Sequence, residues 1–264
     1  MSTRYKGHAF WDVETWQWPT WLVFWPDQAR AALQYRVNLM PQAAENAKHL
    51  DVYLHDFAPG ADLDKHKPTV LEGLRYPWES ALSGVELSTP SDENHIVGDI
   101  SLAFRQYWRA THNVTWLASA GFPVIEGIAR YYASRVTLGA DGKYHTFGQM
   151  GPDEAHGNIT DSTYGNAVGA AALTAAYDLA APAGRTPNAT FRRIAQKIQI
   201  NYNATGDFHP EYNEVQWNDR VARGGDFLIK QADTVLMYYP LAVNATDSVR
   251  RNDVELYAKL QVRS

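Results

Sequence analysis

A pair of adjacent acids in a glycine-rich segment is the first feature of this sequence that could perform chemistry. Asp153 and Glu154 follow Pro152, and His145 and His156 flank them in the stretch HTFGQMGPDEAHGNITDST. Proline fixes its own φ and disfavours helix in the residue before it, while glycines permit tight turns, so the acids are predicted to lie on a loop of constrained shape. Such a loop can aim a carboxyl group at a substrate, although an acidic pair in a loop is more often a solvated turn.

Aromatic residues stand next to acids elsewhere in the chain. The segment GHAFWDVETWQWPTWLVFWP has Trp11 directly before Asp12, and the segment YPWES joins Trp78 to Glu79. Most tryptophans pack in protein cores, because each buries a large apolar area. A flat apolar ring beside a charged acceptor also suits a sugar, which has an apolar face and a rim of hydroxyl groups. We interpret these segments as loops that carry candidate carbohydrate-binding residues.

Composition and missing motifs argue against several other functions. The chain has 264 residues, a net charge of −5 and no cysteine, so it has no disulfide, no thiolate metal site and no cysteine nucleophile. It shows no run of basic residues that would indicate nucleic acid or an anionic membrane, and no apolar stretch of membrane-spanning length. P-loop, dinucleotide-binding, G-x-S-x-G and H-E-x-x-H motifs are missing, and the nine histidines show no metal-ligand spacing. We predict no metal, no cofactor, and no nucleic-acid or membrane partner.

The chain contains five Asn-x-Thr triplets, which start at Asn113, Asn158, Asn188, Asn203 and Asn244. Roughly one or two such glycosylation acceptors would occur by chance in a chain of this composition. The residues after Met1 lack the apolar core of a signal peptide. We expect a glycosylated parent protein that is secreted or vacuolar or lysosomal, and a chain that lacks the beginning of that parent.

Hydrophobic periodicity predicts a mainly α-helical fold, arranged as successive helical hairpins. Apolar residues recur at helical spacing in residues 27–40, 96–108, 122–133, 164–180, 190–200, 229–239 and 247–260. Asn188 is a candidate N-cap for the fifth of these segments. Residues 136–147 differ, because they alternate around Asp141-Gly142, which is typical of a β-hairpin that leads into the acidic loop.

Several stretches, in their order along the chain, resemble glycoside hydrolase family 65. They are GHAFWDVETW, PWESALSGVE, MGPDEAHGN and KQADTVLMYYP, and the resemblance extends from about residue 7 to about residue 260. The family includes acid trehalases, the glucosidase that trims glucosyl-galactosyl-hydroxylysine, and maltose, trehalose and kojibiose phosphorylases. The resemblance implies an (α/α)6 barrel. Residues 1–264 would then form a partial catalytic domain, without the flanking β-sandwich and the C-terminal part of the barrel.

The resemblance also implies roles for individual residues. Glu154 matches the general acid that protonates the glycosidic oxygen in an inverting reaction on α-glucosides. The positions that hold the glucose whose bond is cut are matched by Trp11, Asp12, Trp78, Glu79, Lys230 and Gln231. His95 and His156 lie near matched motifs and are further candidates. A general acid must keep its proton near the working pH, and negative charge on Asp153 and Glu79 could help Glu154 to do so.

Three functions remain open at this point. An inverting hydrolase needs a second carboxylate about 6.5–9.5 Å from the acid to activate water, whereas a phosphorylase uses phosphate as the nucleophile. The resemblance places the residues that decide between them beyond residue 264. The stretch GLRYPWESALSGVEL favours the hydrolase branch, with an α-linked glucose-containing disaccharide or glycan as the partner. The alternatives are a phosphorylase and a sugar-binding fragment without turnover.

Overall fold

The computed structural model describes residues 6–48, 71–85, 92–222 and 229–260. The chain is mainly helical, with two small antiparallel sheets of two strands each. The predicted fold class is thereby confirmed. None of the helices in the described ranges has both the length and the apolar character that crossing a membrane requires.

The N-terminal tryptophan-rich segment is helical, so its prediction as a loop was wrong. Strand β1 (Ala9–Phe10) leads into a π-helical turn (Val13–Gln17), which continues directly as α1 (Trp18–Phe24). The indole of Trp18 is fully buried and donates its Nε1–H to the carbonyl of Ala29, at 2.9 Å, in the next helix. Packing against that neighbour outweighs the modest helix propensity of aromatic residues.

Two further helices complete the N-terminal part, and the first small sheet closes it. Helix α2 spans Pro26–Asn38 and α3 spans Met40–Lys48. Strand β2 (Glu79–Ser80) pairs antiparallel with β1, and Phe10 lies opposite Glu79. The sheet therefore places the backbone just before Trp11 and Asp12 next to the backbone just after Trp78.

Three long helices form the centre of the largest hydrophobic core. They are α4 (His95–Thr111), α6 (Phe122–Arg135) and α7 (Thr163–Ala180). A short helix, α5 (Val114–Trp116), and a π-helical turn (Leu117–Gly121) connect α4 to α6. The helices approach closely where glycines face them. A Cβ on Gly98 would lie 2.7 Å from the Val168 side chain, and a Cβ on Gly169 would lie 2.8 Å from the Tyr132 ring. This packing fixes the N-terminal end of α4, where His95 lies.

The hairpin and the helix cap that the sequence predicts are both present. Strands β3 (Thr137–Leu138) and β4 (Tyr144–His145) pair antiparallel, and Gly142 has the positive φ of 78° that the turn requires. The Asn188 side chain accepts a hydrogen bond from the backbone N–H of Thr190, at 2.9 Å, and caps α8 (Ala189–Lys197). Helices α9 (Glu214–Ala222) and α10 (Asp247–Leu260) follow.

The helix predicted over residues 229–239 is wrong for most of its length, because only a 3-10 segment (Asp233–Met237) forms there. The backbone N–H of Lys230 donates to the Asp153 carboxylate, at 3.1 Å, and the N–H of Asp233 donates to Glu211 Oε1, at 3.1 Å. Two side-chain carboxylates from distant segments thus accept hydrogen bonds from backbone N–H groups in the first half of this stretch. The segment is shaped by these contacts rather than by its helical pattern.

Candidate active site

The acidic loop is closed at its base and projects from the end of the hairpin. Gln149 and Ile159 exchange backbone hydrogen bonds, at 3.0 and 2.8 Å, and Gly148 has a φ of 56°. The Arg135 guanidinium, at the end of α6, donates to the carbonyls of Phe147 and Gly148, at 2.9 and 3.0 Å. The sequence-based prediction of a constrained loop around the two acids is confirmed.

Asp153 is buried and fully engaged in hydrogen bonds that shape the loop. Its Oδ2 bonds to Nδ1 of His156, at 2.7 Å, and its Oδ1 accepts from the backbone N–H of Lys230. His156 is partly buried, and its ring lies 5.7 Å from the Tyr212 ring. Asp153 therefore joins the acidic loop to the segment that carries Lys230, and it holds His156 beside them.

Glu154 is the member of the acidic pair that solvent can reach. Its side chain is 30% exposed, and its Oε2 forms an ion pair with the ammonium of Lys230, whose side chain is 54% exposed. The hydrogen bond to Glu154 is the main reason that the pKa of Lys230 is raised. The two residues are 76 positions apart in the sequence, so the fold brings the matched acid and the matched lysine together. Gln231, the next residue, is partly buried.

A buried chain of charged and polar groups runs behind this pair, at the start of α4. His95 bonds through Nδ1 to Asp99, at 2.8 Å, and through Nε2 to Glu93, at 3.3 Å. The Tyr164 hydroxyl donates to the other oxygen of Asp99, at 2.5 Å. Asp99 is therefore the better-satisfied carboxylate of the two that contact the imidazole.

The protonation of this chain follows from burial and contact. Burial opposes charge on the His95 imidazole, but its hydrogen bonds to Asp99 and Glu93 outweigh burial and raise the pKa of His95 to about 9. Burial raises the pKa of Glu93 to about 7, with the charge of Glu154 adding to the shift. The raised pKa of His95 thus keeps its imidazole protonated at neutral pH, between the carboxyl groups of Asp99 and Glu93.

Trp11 and Asp12 lie on the other side of His95. The Trp11 ring meets the His95 ring edge-on, with centroids 5.0 Å apart at an interplanar angle of 85°. Partial burial raises the pKa of Asp12, and the nearby charge of Asp99 raises it further. The π-helical turn that follows is anchored because Glu14 receives two hydrogen bonds from the buried Arg36 of α2, at 2.6 and 3.0 Å.

Trp78 and Glu79 lie beside this group through the small sheet. The Trp78 ring is partly buried, 5.9 Å from the Phe10 ring. Glu79 bonds to Nδ1 of His8, at 3.0 Å, and both side chains are about one-fifth exposed. The carboxylate of Glu79 is thus engaged with His8, directly before strand β1, rather than with the acidic loop.

Two acids beneath the loop were not singled out from the sequence. Burial raises the pKa values of Glu211 and Asp233 well above their ordinary values, and mutual repulsion with Asp153 adds to the effect. A Cβ on Gly151 would lie 2.1 Å from Asp233 Oδ2, so only glycine permits this close approach. Asp233 follows Lys230-Gln231 by two residues, and this adjacency was the signal available in the sequence. His95 and Asp99, spaced i to i+4 on one helix face, offered a similar signal.

Asp153, His156 and Glu211 are a group, within the described ranges, whose potential metal-ligand atoms all lie within 4.8 Å of one another. Carboxylate and imidazole groups are suitable ligands for several divalent metals. The carboxylate of Asp153 and the imidazole of His156 are already hydrogen-bonded to each other at 2.7 Å. That bond explains why Asp153 and His156 lie together, and the predicted lack of a metal stays a prediction.

Comparison with known proteins decides the family. A family model described as the glycosyl hydrolase family 65 central catalytic domain matches residues 1–57 and 59–198. The chain belongs to glycoside hydrolase family 65. The loop with Asp153 and Glu154, the Trp11-Asp12 segment and the start of α4 all lie within the matched residues.

Similar proteins with assigned activities support this membership. The chain is 36% identical over 260 residues to a protein-glucosylgalactosylhydroxylysine glucosidase of Danio rerio, covering 96% of the chain and 35% of that protein. It is 29% identical over 258 residues to a kojibiose hydrolase of Flavobacterium johnsoniae, covering 96% and 34%. It is 31% identical over 178 residues to a kojibiose phosphorylase of Caldanaerobacter subterraneus, covering 61% and 21%. The chain spans about a third of the length of the glucosidase and the hydrolase.

A solved structure confirms the type of fold. A human-microbiome protein assigned as a kojibiose phosphorylase superposes on 98% of the chain, and the match covers 41% of that protein, with a TM-score of 0.77 and 17% sequence identity. This likeness, together with the helical architecture, agrees with an (α/α)6-barrel type of fold.

Proposed function

We propose that this chain carries the glucose-binding and proton-donating groups of an inverting α-glucoside hydrolase. One observation carries the proposal: the fold places Glu154, an accessible acid on a constrained loop, in an ion pair with Lys230 beside a set of buried carboxylates. Accessible and buried acids in one place are typical of carboxylate catalysis, because their environments push their pKa values apart.

Glu154 acts as the general acid in this proposal. Without substrate, the Lys230 ammonium is paired with the Glu154 carboxylate. A glucose ring that offers its hydroxyl groups to Lys230 would draw the ammonium away and leave Glu154 near Glu93 and Asp153. Freed from the ammonium, the Glu154 carboxyl can donate a proton to the glycosidic oxygen.

Trp11 and Asp12 supply an aromatic face and a carboxylate for contact with the glucose ring. A pyranose has an apolar face that can lie against an aromatic ring and hydroxyl groups that can donate to a carboxylate. The His95 ring packs edge-on against Trp11, and the charge of His95 partly offsets the rise in the pKa of Asp12. The family resemblance alone supports four further residues as contacts of the bound glucose: Trp78, Glu79, Gln231 and His156. Glu79 and His156 act there through groups that already have partners in the structure.

Hydrolysis is favoured over phosphorolysis because, in sequence, the glucosidase and the kojibiose hydrolase align over nearly the whole chain, while the kojibiose phosphorylase of Caldanaerobacter subterraneus aligns over 61% of it. The substrate class we propose is an α-linked glucose-containing disaccharide or glycan. The carboxylate that would activate water is not assigned to a residue of this chain.

The reaction type is tested by incubating the 264-residue chain, and the full product of its gene, with kojibiose and glucosylgalactosylhydroxylysine, with and without phosphate. We expect the full product to release free glucose at a rate that phosphate does not change. Formation of glucose 1-phosphate that depends on phosphate would replace hydrolysis with phosphorolysis. If the full product binds either sugar without turnover, the protein is a sugar-binding protein and not a hydrolase.

A further inference from the structure

Two exposed aromatic rings from distant segments stack on each other beside the candidate active site. Trp16 and Tyr239 have ring centroids 5.9 Å apart at an interplanar angle of 27°. Trp16 is 42% exposed and Tyr239 is 57% exposed. Single exposed aromatic residues are common, whereas a stacked pair that keeps about half of its area in water is a candidate surface for a ligand.

The two rings continue the line of rings that begins in the site. The Trp11 ring, which meets His95, lies 6.2 Å from the Trp16 ring, at an angle of 55°. Exposure increases along the line, from 1% at His95 and 7% at Trp11 to about half at Trp16 and Tyr239. The pair therefore lies on the solvent side of the proposed glucose position, where the rest of a substrate would extend.

Both rings are held on well-supported backbone. Trp16 lies on the π-helical turn that the buried Glu14–Arg36 ion pair anchors. Tyr239 lies between Tyr238, whose hydroxyl donates to the Asp253 carboxylate, and Leu241, which is buried. The Arg250 guanidinium also lies over the Tyr238 ring, 5.6 Å from its centroid. Rings that are already positioned lose little conformational entropy when a ligand binds.

We propose that Trp16 and Tyr239 form a pyranose-binding subsite for the sugar that is attached to the cleaved glucose. This inference rests on the proposed function, because it extends the same site to the leaving-group side. The apolar face of a pyranose would lie against the ring pair. The indole N–H of Trp16 and the phenol of Tyr239 have no hydrogen-bond partner among the described residues, so both are available to the rim of hydroxyl groups.

The test compares the affinities of a disaccharide and a monosaccharide by calorimetry, so that it does not depend on turnover. Kojibiose and glucose are titrated into the wild-type chain and into Trp16→Ala, Tyr239→Ala and Trp16→Phe. Trp25→Ala is the matched control, because Trp25 is 54% exposed but lies beyond α1, outside the line of rings. Each variant is checked by circular dichroism for native helix content.

We expect both alanine variants to weaken kojibiose relative to glucose by about 10-fold or more, the range of a lost apolar contact in a binding site. Trp16→Phe keeps an aromatic face and should lose less, and Trp25→Ala should match the wild type. The subsite is overturned if the alanine variants weaken both sugars equally, or neither, or if the wild type binds no kojibiose. Failure of the proposed function has a different signature, which is intact, ring-dependent kojibiose binding without hydrolysis by the full gene product.

Discussion

The buried imidazole of His95 makes a pH-dependent contribution to stability that can be worked out from its contacts. The pKa of His95 is raised from 6.5 to about 9, because the hydrogen bonds to Asp99 and Glu93 outweigh the cost of burial. A raised pKa means that the folded chain holds a proton that the unfolded chain releases between pH 6.5 and 9. The stabilisation is therefore complete below pH 6.5 and is lost as the pH rises towards 9.

The size of this contribution follows from the shift. One pKa unit corresponds to about 1.4 kcal/mol, so the shift of His95 is worth about 3 kcal/mol. Glu93 acts in the same direction at lower pH, since burial raises its pKa from 4.5 to about 7 and the ionised form is disfavoured in the folded chain. Its effect falls between pH 4.5 and 7, so Glu93 contributes little to the change above pH 7.

Urea unfolding of the chain at pH 6.5, 7, 8 and 9 measures the effect. We expect the free energy of unfolding of the wild type to fall by about 3 kcal/mol from pH 6.5 to 9. His95→Gln should be less stable and should lose most of that slope, while His112→Asn, at an exposed left-handed position, should keep it. A wild-type stability that is flat over this range, or an unchanged slope in a folded His95→Gln, would contradict the assignment.

Two further substitutions test how the site is held. Glu14→Gln breaks a fully buried ion pair and should destabilise the chain by about 3–5 kcal/mol, because it leaves the Arg36 charge uncompensated; Glu126→Gln, which disturbs only a surface pair, should cost less than about 1 kcal/mol in the same urea measurement. Gly151→Ala places a methyl group against Asp233 and should displace the acidic loop, so we expect reduced glucose binding by calorimetry with helix content retained; wild-type affinity in this variant would show that the loop tolerates the group.

Features that depend on a few neighbouring residues could be predicted from the sequence. The loop around Asp153 and Glu154 follows from Gly151-Pro152, the hairpin follows from Asp141-Gly142, and the cap follows from Asn188. Each of these residues restricts backbone geometry locally, or satisfies a backbone donor two positions away, so no knowledge of the rest of the chain is needed.

Features that depend on distant partners could not be predicted in this way. The tryptophan-rich segment becomes helical because Trp18 packs against α2, and residues 229–239 remain mostly non-helical because Asp153 and Glu211 take their backbone donors. The buried role of Asp153 has the same origin, since it bonds to a segment 77 residues away. Adjacency in sequence suggested two similar acids, whereas the fold gives Asp153 a structural part and leaves Glu154 accessible.

The role of Glu154 is tested most directly by giving one variant two substrates that differ in their need for a proton. Kojibiose has a leaving group that requires protonation, whereas α-glucosyl fluoride releases fluoride without a general acid. In the full gene product, Glu154→Gln should lower the rate of kojibiose hydrolysis by about 10²–10⁴-fold, the usual contribution of general acid catalysis, and lower the rate with α-glucosyl fluoride far less. Glu126→Gln, at a surface pair, should leave both rates as in the wild type. An unchanged rate on kojibiose in Glu154→Gln, or an equal fall on both substrates, would contradict the assignment of Glu154 as the acid.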